Sequence, residues 1–220
     1  MLTYIPTCET AVSTVPEWHR DSFKGHEDKV TSPAGWSPGA LNLAQGIAMK
    51  LHAPLLHADL TRLLIDLSQH PEDDARWSAF SRGLTDDQRE KLDRRSKLAF
   101  LESLETRIDN SLRRDESVIH LSIDTSDQLD LGTILFEFDS RRDLEADCVS
   151  KWKSALSSLS PPFKIDQAPP PSRSLSSYLR ERYPQLGSIK LTVAQSSFLE
   201  GKPMPWMKLK KAIVDSIPRS

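Results

Sequence analysis

Short apolar runs alternate with helical patterns along the whole chain, the signature of an α/β fold. The pattern predicts a first strand over residues 2–7, stopped by polar residues and Pro16. Trp36-Ser37-Pro38-Gly39 then opens a helix, with Ser37 as N-cap and Pro38 at the first helical position. Leu41, Ala44, Ala48 and Leu51 give that helix one buried stripe. The next strand is expected within residues 55–67, centred on Leu63-Leu64-Ile65. Thr85, followed by Asp86 and Asp87, caps a long helix with acids where the macrodipole favours them. Leu92, Phe100, Leu104, Ile108 and Leu112 form its stripe. Residues 118–123 and 134–138 read as interior strands, and residues 144–156 as a helix with Trp152 on its apolar side. Residues 157–177 are rich in Ser and Pro, with Pro169-Pro170-Pro171 excluding regular structure, so they read as a loop bracketing a short strand at 163–166. A short helix over 176–183 and a last strand over 189–193 follow. A final helix at 205–217 aligns Trp206, Leu209, Ile213 and Ile217. The expectation is a single α/β domain over residues 1–220, with a mixed central sheet and helices on both faces; residues 203–220 form its C-terminal helical segment.

Composition narrows the function classes. At 220 residues, roughly 70% of the unfolded chain's surface can be buried, so the core needs no staples. The 29 basic and 31 acidic residues leave a formal charge of −2, which argues against general attraction to nucleic acid or anionic membrane. The basic cluster Lys208, Lys210 and Lys211 reads as a solvated helix face. Cys8 and Cys148 form no CxxC pattern and fit a reducing cytoplasm. No apolar run approaches the ~20 residues of a membrane helix. The opening MLTYIPTCET has neither a basic n-region nor a long apolar run, so no secretory leader is expected.

Several segments in order resemble the N-formylglutamate amidohydrolase family. Thr7-Cys8-Glu9, ending at Val15-Pro16, is similar to its opening strand and loop; Gly35-Trp36-Ser37-Pro38-Gly39-Ala40 resembles its Gly-Trp-Asp-Pro-Gly-Ala turn. Thr61-Arg62-Leu63-Leu64-Ile65-Asp66-Leu67 resembles its Ser-Arg-Leu-hydrophobic-Val-Asp-Leu strand. His70-Pro71 and Phe80-Ser81-Arg82-Gly83-Leu84 follow the family's order, and His120-Leu121-Ser122-Ile123 and Ser188-Ile189-Lys190-Leu191 fall where its later core strands do. The resemblance runs over about residues 4–200. It implies a hydrolase-like architecture of the zinc-peptidase kind, and an ancestral zinc-assisted hydrolysis of a formamide on a small amino acid.

The departures from the family pattern bear on function. Its Cys-Glu-His-Gly-Gly becomes Cys8-Glu9-Thr10-Ala11-Val12, so Thr10 stands where a zinc-ligand histidine is implied. Ser37 replaces an aspartate, and Asp124 replaces the second histidine of His-Leu-Ser-Val-His-Ser. Thr192 replaces the candidate general base of Glu-Leu-Glu-Val-Asn-Gln. A catalytic zinc generally takes three protein ligands from His nitrogen, Cys sulfur and carboxylate oxygen, and a threonine hydroxyl is a poor substitute. Nor can Thr192 accept a proton at neutral pH. The six histidines show no zincin spacing, and His120 and Asp124, on one strand face, are expected ~13 Å apart. No GxSxG, phosphate loop or dinucleotide fingerprint occurs.

The expectation is therefore a catalytically degenerate member with no cofactor, its ancestral zinc lost, and no metal ligands. Glu9, Thr10, Ser37, Asp124 and Thr192 should line its cleft, and Arg62, Asp66 and Arg82 are the candidate ligand-binding residues. Arg62 has two readings: it faces the pocket and binds a substrate carboxylate through its fork of donors, or it forms a buried structural ion pair with Asp66 or another carboxylate of the neighbouring strands. Arg82 is an anion contact or a loop-ordering residue. Ser37 is explained as a helix cap. The expected partner is a small anion or another protein, with no nucleic acid and no membrane. Two rivals remain: a working amidohydrolase on N-formyl or N-acyl amino acids with a rebuilt site of Glu9, Asp66 and Asp124, and a structural or regulatory protein with a collapsed cleft.

Overall fold

The computed structural model describes residues 2–159, 163–199 and 203–218. Within them lies one mixed six-stranded sheet of order β2-β1-β3-β6-β4-β5. The strands are β1 (Leu2–Cys8), β2 (Leu56–His57), β3 (Ser117–Ser126), β4 (Thr133–Glu137), β5 (Lys164–Ala168) and β6 (Gly187–Ala194). β1 runs parallel to β2 and β3, and β3 parallel to β6. β4 turns back antiparallel to β6 and carries β5 parallel on its outer edge.

Alternation along the central strands gives the sheet two unlike faces. Ile119, Leu121 and Ile123 of β3 and Ile189, Leu191 and Val193 of β6 point to one side, where they are fully buried. Three helices cover them: α1 (Ala40–Leu51), α4 (Asp143–Ser157) and α6 (Pro203–Ser216). Leu43, Ile47, Trp152, Leu209 and Ile213 fill this larger core. The opposite face divides. Near the amino ends, Ile5, Val118 and Leu186 pack under α3 (Glu102–Leu112) and α5 (Leu175–Arg182), through Leu104, Ile108 and Leu179. Near the carboxyl ends the same face carries Thr7, His120, Ser122, Asp124, Ser188, Lys190 and Thr192.

The long predicted helix starts at Thr85, whose side chain forms a capping box with Gln88. It runs as α2 (Asp86–Ser96), then through a π-helical turn at Lys97–Leu101 into α3. Leu92 joins a satellite core with Phe23 and Trp77, whereas Phe100, Leu104 and Ile108 reach the sheet.

Several expectations need correction. Leu63-Leu64-Ile65 is a turn and not a strand centre, and β2 is confined to two residues upstream. A short apolar run cannot be assigned by periodicity; here Leu64 and Ile65 bury themselves in the satellite core instead. Ser37 is not the helix cap. The α1 cap is Gly39 at φ 90°, without a side-chain cap bond, and the helix begins at Ala40. Its buried stripe runs through Leu43, Ala44, Ile47 and Ala48, while Leu41 and Leu51 lie half-buried at its margin. The last helix ends at Ser216, with Ile217 buried just beyond it. Residues 160–162 of the Ser/Pro-rich stretch, residue 200 at the end of the resemblance, and residues 219–220 lie outside the described residues.

Candidate functional site

The carboxyl half of the sheet's second face is polar yet buried: His120 is 0% exposed, Glu9 3% and Asp124 7%. Loops do the covering. The 66–71 and 170–176 segments meet over it through a single bridge, Gln69 to Ser174. Register sets Ser122 beside both Thr7 and Lys190, Asp124 beside Thr192, and Glu137 beside Lys190.

Two hydrogen-bond systems result. In the first, Thr7 and Ser122 donate to the two oxygens of Glu9, Ser122 at 2.6 Å. The Thr7 proton being committed to Glu9, His120 Nε2 donates to Thr7 Oγ1 at 2.8 Å. Its Nδ1 lies 2.8 Å from Ser188 Oγ, which continues to Ser176 Oγ at 3.0 Å. Both ring nitrogens are thus engaged. In the second, Asp124 Oδ1 accepts from Thr10 Oγ1 and from the Thr125 amide, each at 2.8 Å, and Asp124 Oδ2 pairs with Lys190 Nζ at 3.0 Å.

Burial alone would raise the pKa of both carboxylates. For Glu9 it is outweighed by His120 and then by the Ser122 and Thr7 hydroxyls; for Asp124 it is outweighed by Lys190 and the neighbouring hydroxyls. Both stay below the ordinary carboxylate range. Burial likewise opposes the Lys190 charge, but Asp124 and Glu137 more than compensate and hold its pKa above the usual lysine value. Burial, Glu9 and Asp124 push the Cys8 thiol well up, so it is no nucleophile at neutral pH.

Thr10, Ser37, Asp124 and Thr192 converge at one place, with Glu9 beside them. Ser37 N donates to the Thr10 carbonyl at 2.9 Å. The Ser37 hydroxyl lies near Asp124 without a hydrogen bond to it, and neither it nor the Thr192 hydroxyl has a hydrogen-bond partner among the described residues. A 350 Å³ cavity opens here, lined by Arg62, Asp124, Glu137, Lys190 and Thr192 among others. A smaller cavity of 100 Å³ lies alongside, reaching Glu9, His120 and Ser122. Lys190 and Glu137 line both.

Arg62 and Asp66 do not pair, and neither is on a strand. Arg62 Nε donates to the Ala34 carbonyl at 3.1 Å and one terminal nitrogen donates to Pro33 O. Among the described residues no carboxylate forms an ion pair with it. Asp66 points elsewhere and closes a turn, accepting from Ser68 N at 3.0 Å, Ser68 Oγ at 2.6 Å and Gln69 Nε2 at 3.3 Å. Arg82 is exposed and away from both cavities. The larger grooves, of 750 and 630 Å³, lie outside this polar face. Their arginines are engaged: Arg180 with Glu145, Arg141 with Asp139 and Arg114 with Glu116.

Sequence reasoning gave no role to Lys190, Glu137, Ser122 or Ser188. The available signal was the alternation in the middle of β3 and β6, where His120, Ser122 and Asp124 interleave with Ile119, Leu121 and Ile123, and Ser188, Lys190 and Thr192 with Ile189, Leu191 and Val193.

Neither family models nor curated proteins match this chain. Among solved structures, the gene product Atu2144 from Agrobacterium tumefaciens is similar, with a TM-score of 0.76 over 98% of this chain and 87% of that one, at 16% identity. That likeness defines the class, an α/β fold around a mixed sheet, and extends to the fold alone. Among the described residues no helix is long and apolar enough to cross a membrane.

Proposed function

We propose that the chain is a non-hydrolytic relative of the N-formylglutamate amidohydrolases that uses its carboxyl-end cleft to bind a small carboxylate-bearing ligand. The observation that carries this reading is Arg62, a half-buried guanidinium on the cavity wall, held by two backbone carbonyls and with no ion-pair partner among the described residues. A guanidinium fixed in this way is pre-organised for a carboxylate.

The donor set argues against zinc. Both nitrogens of His120 are hydrogen-bonded, Glu9 is saturated by hydroxyls, and Asp124 is paired with an ammonium group. Among the described residues no group of three or more His, Cys, Asp or Glu is arranged to hold a metal ion. Asp66, needed by the rebuilt-hydrolase alternative, is engaged by Ser68 and Gln69 and lines neither cavity. The open 350 Å³ cavity weighs against a collapsed cleft. Two free buried thiols fit residence in the reducing cytoplasm.

The test pairs calorimetric titration of glutarate with an assay for formate release from N-formyl-L-glutamate. Glutarate is expected to bind without turnover of the formyl compound. Arg62→Met should weaken binding by about 10- to 100-fold, since charge-assisted bonds of about 1.5–3 kcal/mol are lost. Its melting temperature should change by no more than about 3 °C, because no buried partner is orphaned. Formate release above the protein-free control, with or without added zinc, would sink the proposal.

A further inference from the structure

The cleft holds a second unpaired charge. Glu137 ends β4, half-buried, and its side chain lines both cavities. Among the described residues its carboxylate has neither an ion-pair nor a hydrogen-bond partner. Lys190, its register neighbour on β6, is committed to Asp124 at 3.0 Å. The lysine therefore softens the Glu137 charge from a distance without pairing with it. The remaining acid on the cavity wall, Asp127, is exposed at the mouth and accepts from the Gln128 amide at 3.0 Å.

Once internal pairs are set aside, the 350 Å³ cavity retains, among the described residues, one cation without an ion-pair partner, Arg62, and one half-buried anion without one, Glu137. A simple anion would satisfy the first and leave the second without a paired cation, or be repelled by it. A molecule carrying a carboxylate and an ammonium group satisfies both, and each contact is charge-assisted. A cavity of this volume is ample for a single amino acid.

We infer that the natural ligand is a free, zwitterionic amino acid, its carboxylate on Arg62 and its ammonium group on Glu137. This rests on the anion-binding reading for the Arg62 end and adds the ammonium subsite. It also reverses the preference expected of a deformylating enzyme's substrate site: acylation removes the ammonium charge and leaves Glu137 facing a neutral amide.

The experiment titrates the full-length protein by calorimetry with L-glutamate, N-formyl-L-glutamate, glutarate and propylamine, repeating each with Glu137→Gln and Arg62→Met. L-Glutamate is expected to bind at least about 10-fold more tightly than its N-formyl derivative or glutarate. Glu137→Gln should level the three while leaving glutarate affinity unchanged or improved, and Arg62→Met should weaken all three. Equal affinity for the three ligands, or tighter binding of the N-formyl compound, would overturn the ammonium subsite and leave the anion reading standing. Propylamine binding that depends on Glu137, with no carboxylate bound, would retain the subsite and discard the Arg62 end. No binding by any of the four would discard both. Thermal melts of each variant, expected within about 3 °C of wild type, separate lost recognition from lost folding.

Discussion

Glu9 shows how a buried acid is kept ionised without a metal or an arginine. Its two oxygens receive hydroxyls from Thr7 and Ser122, and His120 stands behind at 3.7 Å. Its folded pKa lies below the ordinary 4.5. A depressed carboxylate contributes stability that is fully present above the unfolded value and is lost as pH falls through the folded one. Glu9→Gln should therefore flatten the acid limb of stability below pH about 4.5, and cost about 2–3 kcal/mol at neutral pH, since an amide offers Thr7 and Ser122 one acceptor where they had two. Urea melts of both proteins across the acid range check this; parallel acid limbs would show that Glu9 does not titrate with folding. At this scale the sequence was partly legible. Glu9, Thr10, Ser37, Asp124 and Thr192 lie together as the motif comparison placed them, because such a comparison marks positions whatever occupies them. Lys190 and Glu137 were missed because a polar residue at every second strand position ordinarily means a solvated face. Only the covering loops, whose path no local pattern encodes, turn that face inward. Asp66 and Arg82 lie apart from that group for the converse reason: position in a motif does not fix side-chain direction in a turn.

Elements position these residues through a few tight contacts, and the Gly35–Gly39 turn is the most constrained. A Cβ on Gly35 would fall 2.1 Å from the Val30 carbonyl oxygen. The same glycine's carbonyl accepts from Thr61 Oγ1 at 2.8 Å and from Arg62 N at 3.1 Å. It thus ties the arginine-bearing turn to the start of α1. Gly35→Ala must move backbone and should cost at least about 2 kcal/mol, with carboxylate binding weakened as Arg62 shifts. Gly83→Ala is the control: nothing lies within 4 Å of its added Cβ, and its stability should stay within about 0.5 kcal/mol of wild type. Chemical denaturation of the pair checks both, and equal effects would remove the special role of Gly35. Helices were the most legible elements, since Thr85 with Gln88 and the stripe through Leu104 and Ile108 are local signals. The run at Leu63-Leu64-Ile65 was misread because its burial is set by Phe23 and Trp77, distant in sequence and joined only by the fold.

The two thiols report on the molecule as a whole. Cys8 ends β1 and Cys148 lies on α4, yet both belong to the core between the apolar sheet face and its three helices. Cys148 Sγ lies 3.2 Å from the Tyr4 hydroxyl, which donates to the Pro218 carbonyl at 2.9 Å, so that core joins the first strand to the segment beyond the last helix. Burial raises both thiols, Cys148 to about 11. Neither can react as a thiolate without the core opening. In a chain that opens as one cooperative unit, the two should label with a disulfide reagent at one common rate, at least about 1,000-fold slower than in the unfolded protein. Both rates should rise together with denaturant. Single-cysteine variants, Cys8→Ser and Cys148→Ser, resolve them. If Cys148 instead labels about 100-fold faster than Cys8, then α4 and α6 open away from a sheet that stays closed, and the helical layer is a separate cooperative unit. The Tyr4–Cys148–Pro218 contacts argue against that outcome: freeing α4 and α6 together would take both partners, Cys148 Sγ and the Pro218 carbonyl, from the Tyr4 hydroxyl and leave Ile119, Leu121 and Ile189 without a cover.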